Sequence, residues 1–227
     1  MIRIFIGYDA DEALAFSVFA HSVHRRASVP MSIMPLALSQ LRGVFDRPRE
    51  ALQSTDFAFT RFLVPWLCGF RGWALFADGD MICRADIAEL WALRDARFAV
   101  MVAQHPPHEV GPVKFLGRAQ TGYERKNWSS VMLFNCARCR GLSPEFVNVA
   151  SGLDLHQFRW LPYDRLIGEI PLGWNHLVSI DAPNPEAKLV HYTLGMPFFT
   201  GYAECEFAKE WRAERDAMMT YKTMATQ

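Results

Sequence analysis

The N-terminal part of the chain has the pattern of a strand, a helix and a second strand. Residues 2–7 (IRIFIG) are β-branched and apolar, and they end in a glycine. Residues 11–27 carry apolar side chains at helical spacing, with acids near the start, and residues 31–38 form a second apolar run. This order opens a parallel α/β unit. We therefore predict an α/β fold with a mostly parallel central sheet and flanking helices.

The rest of the chain continues with strands and helices in mixed order. We predict loop with a short helix over 39–53 and a long irregular segment over 104–126, with at most one strand at 113–117. Further strands are predicted at 73–78, 97–105, 128–136, 165–178 and 187–199, and helices at 54–70, 86–93, 143–151 and 203–219. The last helix is amphipathic, with Phe207, Trp211 and Met218 on one face. No composition change marks a boundary, so we predict a single domain over 1–227.

Charge and hydropathy exclude several kinds of protein. The chain has 227 residues with 24 Lys plus Arg and 24 Asp plus Glu, so its formal net charge is zero. A nucleic-acid-binding protein usually shows a basic excess, and we expect no nucleic-acid partner. The start lacks the pattern of a signal peptide, and no apolar run reaches the roughly 18 residues of a membrane span. We expect a cytoplasmic protein without a transmembrane segment.

The five cysteines favour reduced thiols, because their number is odd and no secretion signal precedes them. Cys136 and Cys139 form a single CxxC pair. A zinc site would need two more ligands at suitable spacing, and the sequence does not show them.

Two aspartates follow the apolar run of residues 73–77. Asp78 and Asp80 are separated only by Gly79. The carboxyl ends of parallel strands are where ligands bind in open α/β folds, and two ionised carboxylates there need a counter-charge. Asp oxygens suit Mg²⁺ or Mn²⁺, and Gly79 would let the backbone approach a ligand closely. The other interpretation is an acidic turn in which each aspartate caps a backbone group.

Several segments in order resemble the retaining glycosyltransferases of the GT-A fold, family 8. The segments are RIFIGYD at 3–9, TRFLVPWLCGFRGWALFADGDMICRADIAELW at 60–91, WSSVMLFN at 128–135 and LVHYTLGMPF at 189–198. The chain is thus identified as a member of a divergent bacterial branch of this family. The resemblance implies a GT-A fold and a metal-dependent hexosyltransferase.

The resemblance also implies roles for individual residues. Asp78, Asp80 and His191 would bind Mn²⁺ or Mg²⁺, and Asp78 would lie near the donor ribose. Arg61 would contact the donor. The residues expected to line the nucleotide-sugar site are Gly7, Tyr8, Asp9, Arg61, Asp78, Gly79, Asn127, Trp128, Ser129 and Gly195. Tyr8 would stack on the base, and Asp9 would accept a hydrogen bond from the base or the ribose.

The chain departs from the family pattern at two places. Trp128 stands where the family usually has Asn, with Asn127 one position earlier. Met196 stands where a phosphate-binding Lys is expected, and the charge would then come from Lys114, Arg118 or Lys126. The segment GLDLHQFRW at 152–160 corresponds loosely to the part of the family that faces the sugar. Asp154, His156 and Gln157 are the residues of this segment that could contact the sugar. The residues expected to be catalytic are Asp78, Asp80, Arg61 and Gln157.

These observations lead to three hypotheses. The first is transfer of a sugar, with retention, from a nucleotide-diphosphate sugar, most simply a UDP-sugar, to a glycan, lipid or protein acceptor. The second is a catalytically inactive module of the same fold that binds a nucleotide or sugar, suggested by Trp128 and Met196. The third is a nucleotidyltransferase, which ranks last because the loop after the first strand is acidic and lacks a glycine-rich phosphate loop.

Overall fold

A computed structural model describes residues 1–49, 53, 55–108 and 122–220. The main sheet of this part has six strands in the order β2-β1-β3-β6-β5-β7. Only β6 runs antiparallel to its neighbours, so the sheet is mostly parallel, as predicted. A second sheet has the order β4-β9-β8.

The strands of the described chain are β1 Ile2–Tyr8, β2 Met31–Ala37, β3 Trp73–Ala77, β4 Met81–Cys83, β5 Val100–Ala103, β6 Val131–Asn135, β7 Ile167–Ile170, β8 His176–Leu177 and β9 Leu189–His191. Its α-helices are α1 Ala13–Arg26, α2 Val64–Leu67, α3 Ile87–Ala92, α4 Pro144–Val149, α5 Gly152–His156 and α6 Ala208–Met219. Asp86 and Ser143 cap α3 and α4 with their side chains, and Pro144 begins α4, as the sequence predicts.

Both faces of the main sheet are covered by apolar side chains. Along β3, Ala74 and Phe76 lie in one hydrophobic cluster, while Leu75 and Ala77 lie in another. Successive side chains of a strand point to opposite faces, so an apolar run without alternation indicates a strand buried on both sides. The run WALFA therefore places β3 in the middle of the molecule.

The second sheet has its own hydrophobic cluster, to which α1 and α6 contribute. Val18 of α1, Ile82 of β4 and Trp211 of α6 are all buried in it. The amphipathic face predicted for the last helix is thus packed against α1 and the small sheet. The helix begins later than predicted, at Ala208, because Phe207 has φ 58° in the left-handed region.

One sequence prediction of local structure is wrong, and one strand was missed. Residues 54–70 were predicted as a helix that Pro65 would kink or end, but the described part contains a 3-10 turn, Thr60–Leu63, followed by the short helix α2. Pro65 lies at the start of α2, and Gly69 and Phe70 have positive φ, so the helix cannot extend further. Strand β4 was not predicted, because three residues carry too little periodicity. The predicted strand at 113–117 lies outside the described residues.

No helix in the described ranges is both long and apolar enough to span a membrane.

Candidate functional site

The two aspartates lie in the link between the two sheets. Asp78 follows the last residue of β3, and Asp80 precedes the first residue of β4. The backbone of the link is tied to both sheets, since Asp78 N donates to Ser130 O (2.9 Å) and Tyr192 N donates to Asp80 O (2.9 Å). Both side chains are buried, Asp78 at 8% and Asp80 at 4% exposure. The pair is therefore a rigid, poorly hydrated arrangement of two carboxylates.

Gly79 is required by a close approach of two backbones. A Cβ atom at this position would lie 2.4 Å from Gly7 O, at the end of the neighbouring strand β1. A contact with a carbonyl of a central strand cannot be relieved by a side-chain rotation. The glycine between the aspartates thus lets the β3–β4 link pass directly over the end of β1.

His191 completes a group of three possible metal ligands. It is the last residue of β9 and is paired with Met81, which brings it beside the aspartates. Its Nε2 lies 3.3 Å from Asp80 Oδ1 and 3.9 Å from Asp78 Oδ2. One ligand atom of each residue lies within 4.8 Å of the others, and this is the only such group of His, Cys, Asp or Glu found in the described chain. Two carboxylates and an imidazole suit a divalent ion such as Mn²⁺.

The other ring nitrogen of His191 faces a side chain that sequence reasoning missed. Asn175 Oδ1 lies 3.0 Å from His191 Nδ1, and Asn175 Nδ2 donates to Asn127 O at 3.0 Å. Asn175 has no exposed surface. Its partners lie 16 and 48 residues away along the chain, so no local pattern could have indicated this contact.

Arg61 supplies a positive charge to the aspartate pair. Its NH1 atom lies 2.8 Å from Asp78 Oδ1 and donates to Ser129 O at 3.0 Å. The guanidinium also lies over the rings of Phe57 and Phe76, and the residue is only 5% exposed. The predicted contact of Arg61 with a donor remains a prediction, since the structure places its charge against Asp78.

The loop after β1 lies at the same edge of the sheet. Asp9 is buried, and its carboxylate accepts hydrogen bonds from Asp11 N (3.0 Å) and Asp56 N (3.2 Å). Asp9 therefore caps local backbone in this structure, and its predicted contact with a base or ribose remains a prediction. The partly exposed ring of Tyr8 packs edge-on against Phe16, with centroids 5.4 Å apart. Gly7 contacts Phe57, whose ring would clash with a Cβ atom at position 7.

Residues 127–130 reach the same edge from the start of β6. Asn127 has φ 65°, and residues Trp128–Ser130 form a 3-10 turn. Trp128 Nε1 donates to His105 O (2.8 Å), so the indole N–H binds the backbone just after β5. Ser129 Oγ lies 2.7 Å from His156 Nδ1.

His156 packs among aromatic side chains instead of facing open solvent. Its ring contacts those of Phe59, Phe62 and Tyr123. Burial lowers the pKa of His156 well below 6.5, and the nearby charge of Arg61 acts in the same direction. Burial likewise raises the pKa of Tyr123 to about 12; Arg61 opposes this rise and Asp78 adds to it. His156 and Tyr123 are therefore neutral at physiological pH.

The remaining predicted residues lie in varied surroundings. Gln157 Oε1 accepts from Arg159 NH2 at 2.8 Å, and Asp154 accepts from Ser151 Oγ at 2.6 Å. Gly195 lies against the Tyr202 ring. Met196 is fully buried in the cluster formed by the small sheet, α1 and α6, so it belongs to the hydrophobic core. Lys114 and Arg118 lie outside the described residues, while Lys126 lies over the Tyr123 ring.

A second group of titratable side chains was not predicted. Asp181 lies between two buried histidines, 3.6 Å from His105 Nδ1 and 3.7 Å from His176 Nδ1, and His176 Nε2 lies 3.0 Å from Glu206. Burial raises the pKa of Asp181, but the proximity of His105 and His176 and the hydrogen bond from Leu177 N outweigh it, so the pKa lies below its ordinary value. The group lies beside β8 and the residues that follow it.

The two cysteines of the CxxC pair are buried in the hydrophobic core. Cys139 Sγ donates to Ala99 O (3.2 Å) and Asn135 O (3.3 Å), and Cys136 Sγ donates to Phe134 O (3.8 Å). Burial raises the pKa of Cys139 to about 12, which keeps it in the thiol form.

Comparison with known proteins gives one curated relative and many structural neighbours. No family model matches the chain. The chain is 45% identical over 223 residues to Protein CDI of Arabidopsis thaliana, a match that covers 94% of this chain and 86% of that protein.

Two of the structural neighbours are the glycosyltransferases LgtC and WbbM. The galactosyltransferase LgtC, solved with donor and acceptor sugar analogues, matches with a TM-score of 0.62 at 13% identity, covering 97% of this chain and 98% of LgtC. The bifunctional glycosyltransferase WbbM matches with a TM-score of 0.61 at 13% identity. The match covers 94% of this chain and 51% of WbbM. The likeness confirms the predicted GT-A fold.

Proposed function

We propose that this chain, which belongs to the same protein family as Protein CDI of Arabidopsis thaliana, is a glycosyltransferase dependent on a divalent metal, because it has the GT-A fold and a buried group of three possible metal ligands. The donor is a nucleotide-diphosphate sugar, most simply a UDP-sugar, and the sugar is transferred with retention to a glycan, lipid or protein acceptor. The observation that carries the proposal is the buried group of Asp78, Asp80 and His191 at the edge of the sheet.

The residues present fit a divalent cation. Two ionised carboxylates buried side by side repel each other, and a cation between them relieves this repulsion. Asp78, Asp80 and His191 offer ligand atoms close enough together to hold such a cation. Mn²⁺ or Mg²⁺, when bound there, supplies Lewis-acid stabilisation of the charge that develops on the diphosphate leaving group.

The chain's own residues would position the donor around this group. The packed link at Gly79 fixes the two carboxylates, so little reorganisation is needed when the diphosphate binds. Arg61 contacts the Asp78 carboxylate, and its positive charge makes the electrostatic potential at the two aspartates less negative. This favours the approach of an anionic donor. Tyr8 offers a partly exposed aromatic ring beside the aspartates for the nucleotide base.

Transfer with retention requires no separate protein base when the leaving phosphate accepts the acceptor proton. The side of the site near Arg61 fits this scheme, because His156 is neutral and its Nδ1 is engaged with Ser129. We propose that Gln157, next to His156 in the chain, lies at the sugar side and contributes polar contacts.

Binding experiments test the proposal. Titration calorimetry with Mn²⁺ and UDP is expected to show binding to the wild type and its loss in Asp80→Asn, which keeps the shape of the side chain but removes its charge. Asp216→Asn is the control, since Asp216 is exposed and pairs with its neighbour Arg215. The proposal is wrong if neither UDP nor any UDP-sugar binds the wild type in the presence of Mn²⁺.

A thermal-shift screen of sugar nucleotides with Mn²⁺ would then identify the donor, because a bound ligand raises the melting temperature by mass action. The anomeric configuration of the product, read by NMR, tests retention. Product with an inverted anomeric carbon would contradict that part of the proposal.

A nucleotide-binding module without transfer is the alternative, favoured by the environment of Trp128. Its indole N–H is occupied by His105 O, and its ring packs with Phe158, so this residue offers a sugar no free polar atom. Binding of UDP without turnover of any donor on a broad acceptor panel would favour this alternative.

A further inference from the structure

One short stretch of backbone supports both sides of the proposed metal site. Ser129 O accepts from Arg61, and Arg61 NH1 in turn lies 2.8 Å from Asp78 Oδ1. Asn127 O accepts from Asn175 Nδ2, and Asn175 Oδ1 in turn lies 3.0 Å from His191 Nδ1. Two carbonyl groups of residues 127–129 are thus connected, through one side chain each, to two of the three possible ligands.

The contact with Asn127 determines which way the Asn175 amide faces. A backbone carbonyl oxygen can only accept a hydrogen bond, so the group that faces Asn127 O is the NH₂ of Asn175. The group that faces His191 is then the amide oxygen, which also can only accept. His191 Nδ1 must therefore carry a hydrogen, and in the neutral ring the lone pair lies on Nε2.

This tautomer has its free lone pair on the side of the aspartates. Nε2 is the nitrogen that lies 3.3 Å from Asp80 Oδ1 and 3.9 Å from Asp78 Oδ2. A metal-ligating histidine usually donates its other N–H to a fixed acceptor, and loss of that acceptor typically lowers metal affinity by about 10–100-fold.

We propose that Asn175 is a positioning residue that selects the Nδ1–H tautomer of His191 and couples this ligand to residues 127–129. The inference rests on the proposed metal role of His191. Only a side chain with both an acceptor and a donor can make the two contacts together. Asn175 is fully buried, so water is not available to replace either partner when it is removed.

Two substitutions at position 175 separate the two contacts. Asn175→Asp keeps an acceptor for His191 but removes the donor to Asn127, whereas Asn175→Leu removes both. Asn148→Leu is the matched control, because Asn148 also bridges backbone groups: its Nδ2 donates to Val44 O and Pro144 O, and its Oδ1 accepts from Asp46 N. It makes these contacts away from the aspartates.

The first measurement uses the metal-free protein. Nitrogen-15 NMR of histidine-labelled protein, at a pH where the ring of His191 is neutral, is expected to show Nδ1–H in the wild type and in Asn175→Asp. In Asn175→Leu the Nε2–H form should gain population. The proposal is overturned if wild-type His191 is predominantly the Nε2–H tautomer, whether or not the protein binds a metal.

The second measurement is Mn²⁺ affinity by electron paramagnetic resonance. We expect Asn175→Leu to bind Mn²⁺ about 10–100-fold more weakly than the wild type, and Asn175→Asp and Asn148→Leu to stay within a few-fold of it. Equal affinity of Asn175→Leu and the wild type contradicts the proposal. Absence of Mn²⁺ binding by the wild type refutes the proposed metal site, and with it the role of Asn175 toward a metal, while the NMR result still decides the tautomer.

The third measurement tests the coupling to residues 127–129. Amide hydrogen exchange of a peptide covering these residues should slow on Mn²⁺ binding in the wild type and in Asn148→Leu. In Asn175→Asp at saturating Mn²⁺ the added protection should be lost. Equal protection in Asn175→Asp and the wild type would show that the ligand and this stretch are independent, and would overturn the coupling.

Discussion

At the scale of single residues, Gly79 shows the tightest constraint in the site. A methyl group at position 79 would meet Gly7 O at 2.4 Å, so Gly79→Ala must displace either the aspartate link or the end of β1. We expect a loss of about 1–3 kcal/mol in the free energy of unfolding, together with weaker Mn²⁺ binding. Gly141→Ala is the control, since its added Cβ would have its nearest neighbour at 3.6 Å. Chemical denaturation of both variants checks this; equal stability would contradict it.

His156 provides a prediction about pH. Its pKa in the folded protein is lowered well below 6.5 by burial and by Arg61, so below about pH 6.5 the unfolded chain binds a proton that the folded protein does not. The stability contributed by the neutral ring is complete above pH 6.5 and declines as the pH falls below it. We expect His156→Gln to reduce this decline. Urea denaturation at pH 7.5 and pH 5.0 measures it, and an unchanged pH dependence in the variant would refute the assignment.

At the scale of elements, helices α1 and α6 are joined by a buried carboxylate. Glu214 of α6 is 2% exposed and contacts His21 (2.7 Å) and Arg26 (2.9 Å) of α1. Removing one member of a buried pair leaves the other charges without a partner, and because Arg26 is partly exposed we expect Glu214→Ala to cost about 2 kcal/mol. Glu210→Ala, on the same helix, removes a 48% exposed partner of Arg84 and should cost less than about 1 kcal/mol. Similar midpoints for the two variants in urea would contradict this.

The elements also show why sequence reasoning succeeded in some places and failed in others. Strand β1, helix α1 and strand β2 were predictable because each has a continuous local period. Strand β4 was not, because its three residues are defined by pairing with β9 rather than by their own pattern. The aspartates and His191 were predictable from the resemblance to a family, whereas Asn175 and Asp181 act through partners that are remote in sequence.

At the scale of the whole molecule, the proposed ligands come from both sheets. Asp78 directly follows a strand of the six-stranded sheet, and His191 is the last residue of a strand of the three-stranded sheet. An ion held by both would stabilise the molecule as one unit, by about 2.7 kcal/mol at a concentration of 100 times its Kd. We expect Mn²⁺ to shift a single urea transition seen by both near- and far-ultraviolet circular dichroism. A shift in only one of the two signals would show that the sheets unfold independently.

The pairing of β4 with β9 has a consequence for synthesis of the protein. Met81 and His191 are register partners, so the strand that bears the third ligand is made long after the aspartates. A nascent chain that has reached only β8 already contains Asp78 and Asp80, yet lacks the strand that places an imidazole beside them. Domains fold as their residues become available during translation, and contacts between distant residues form late. The growing chain therefore carries its two aspartates without His191 until β9 has been made.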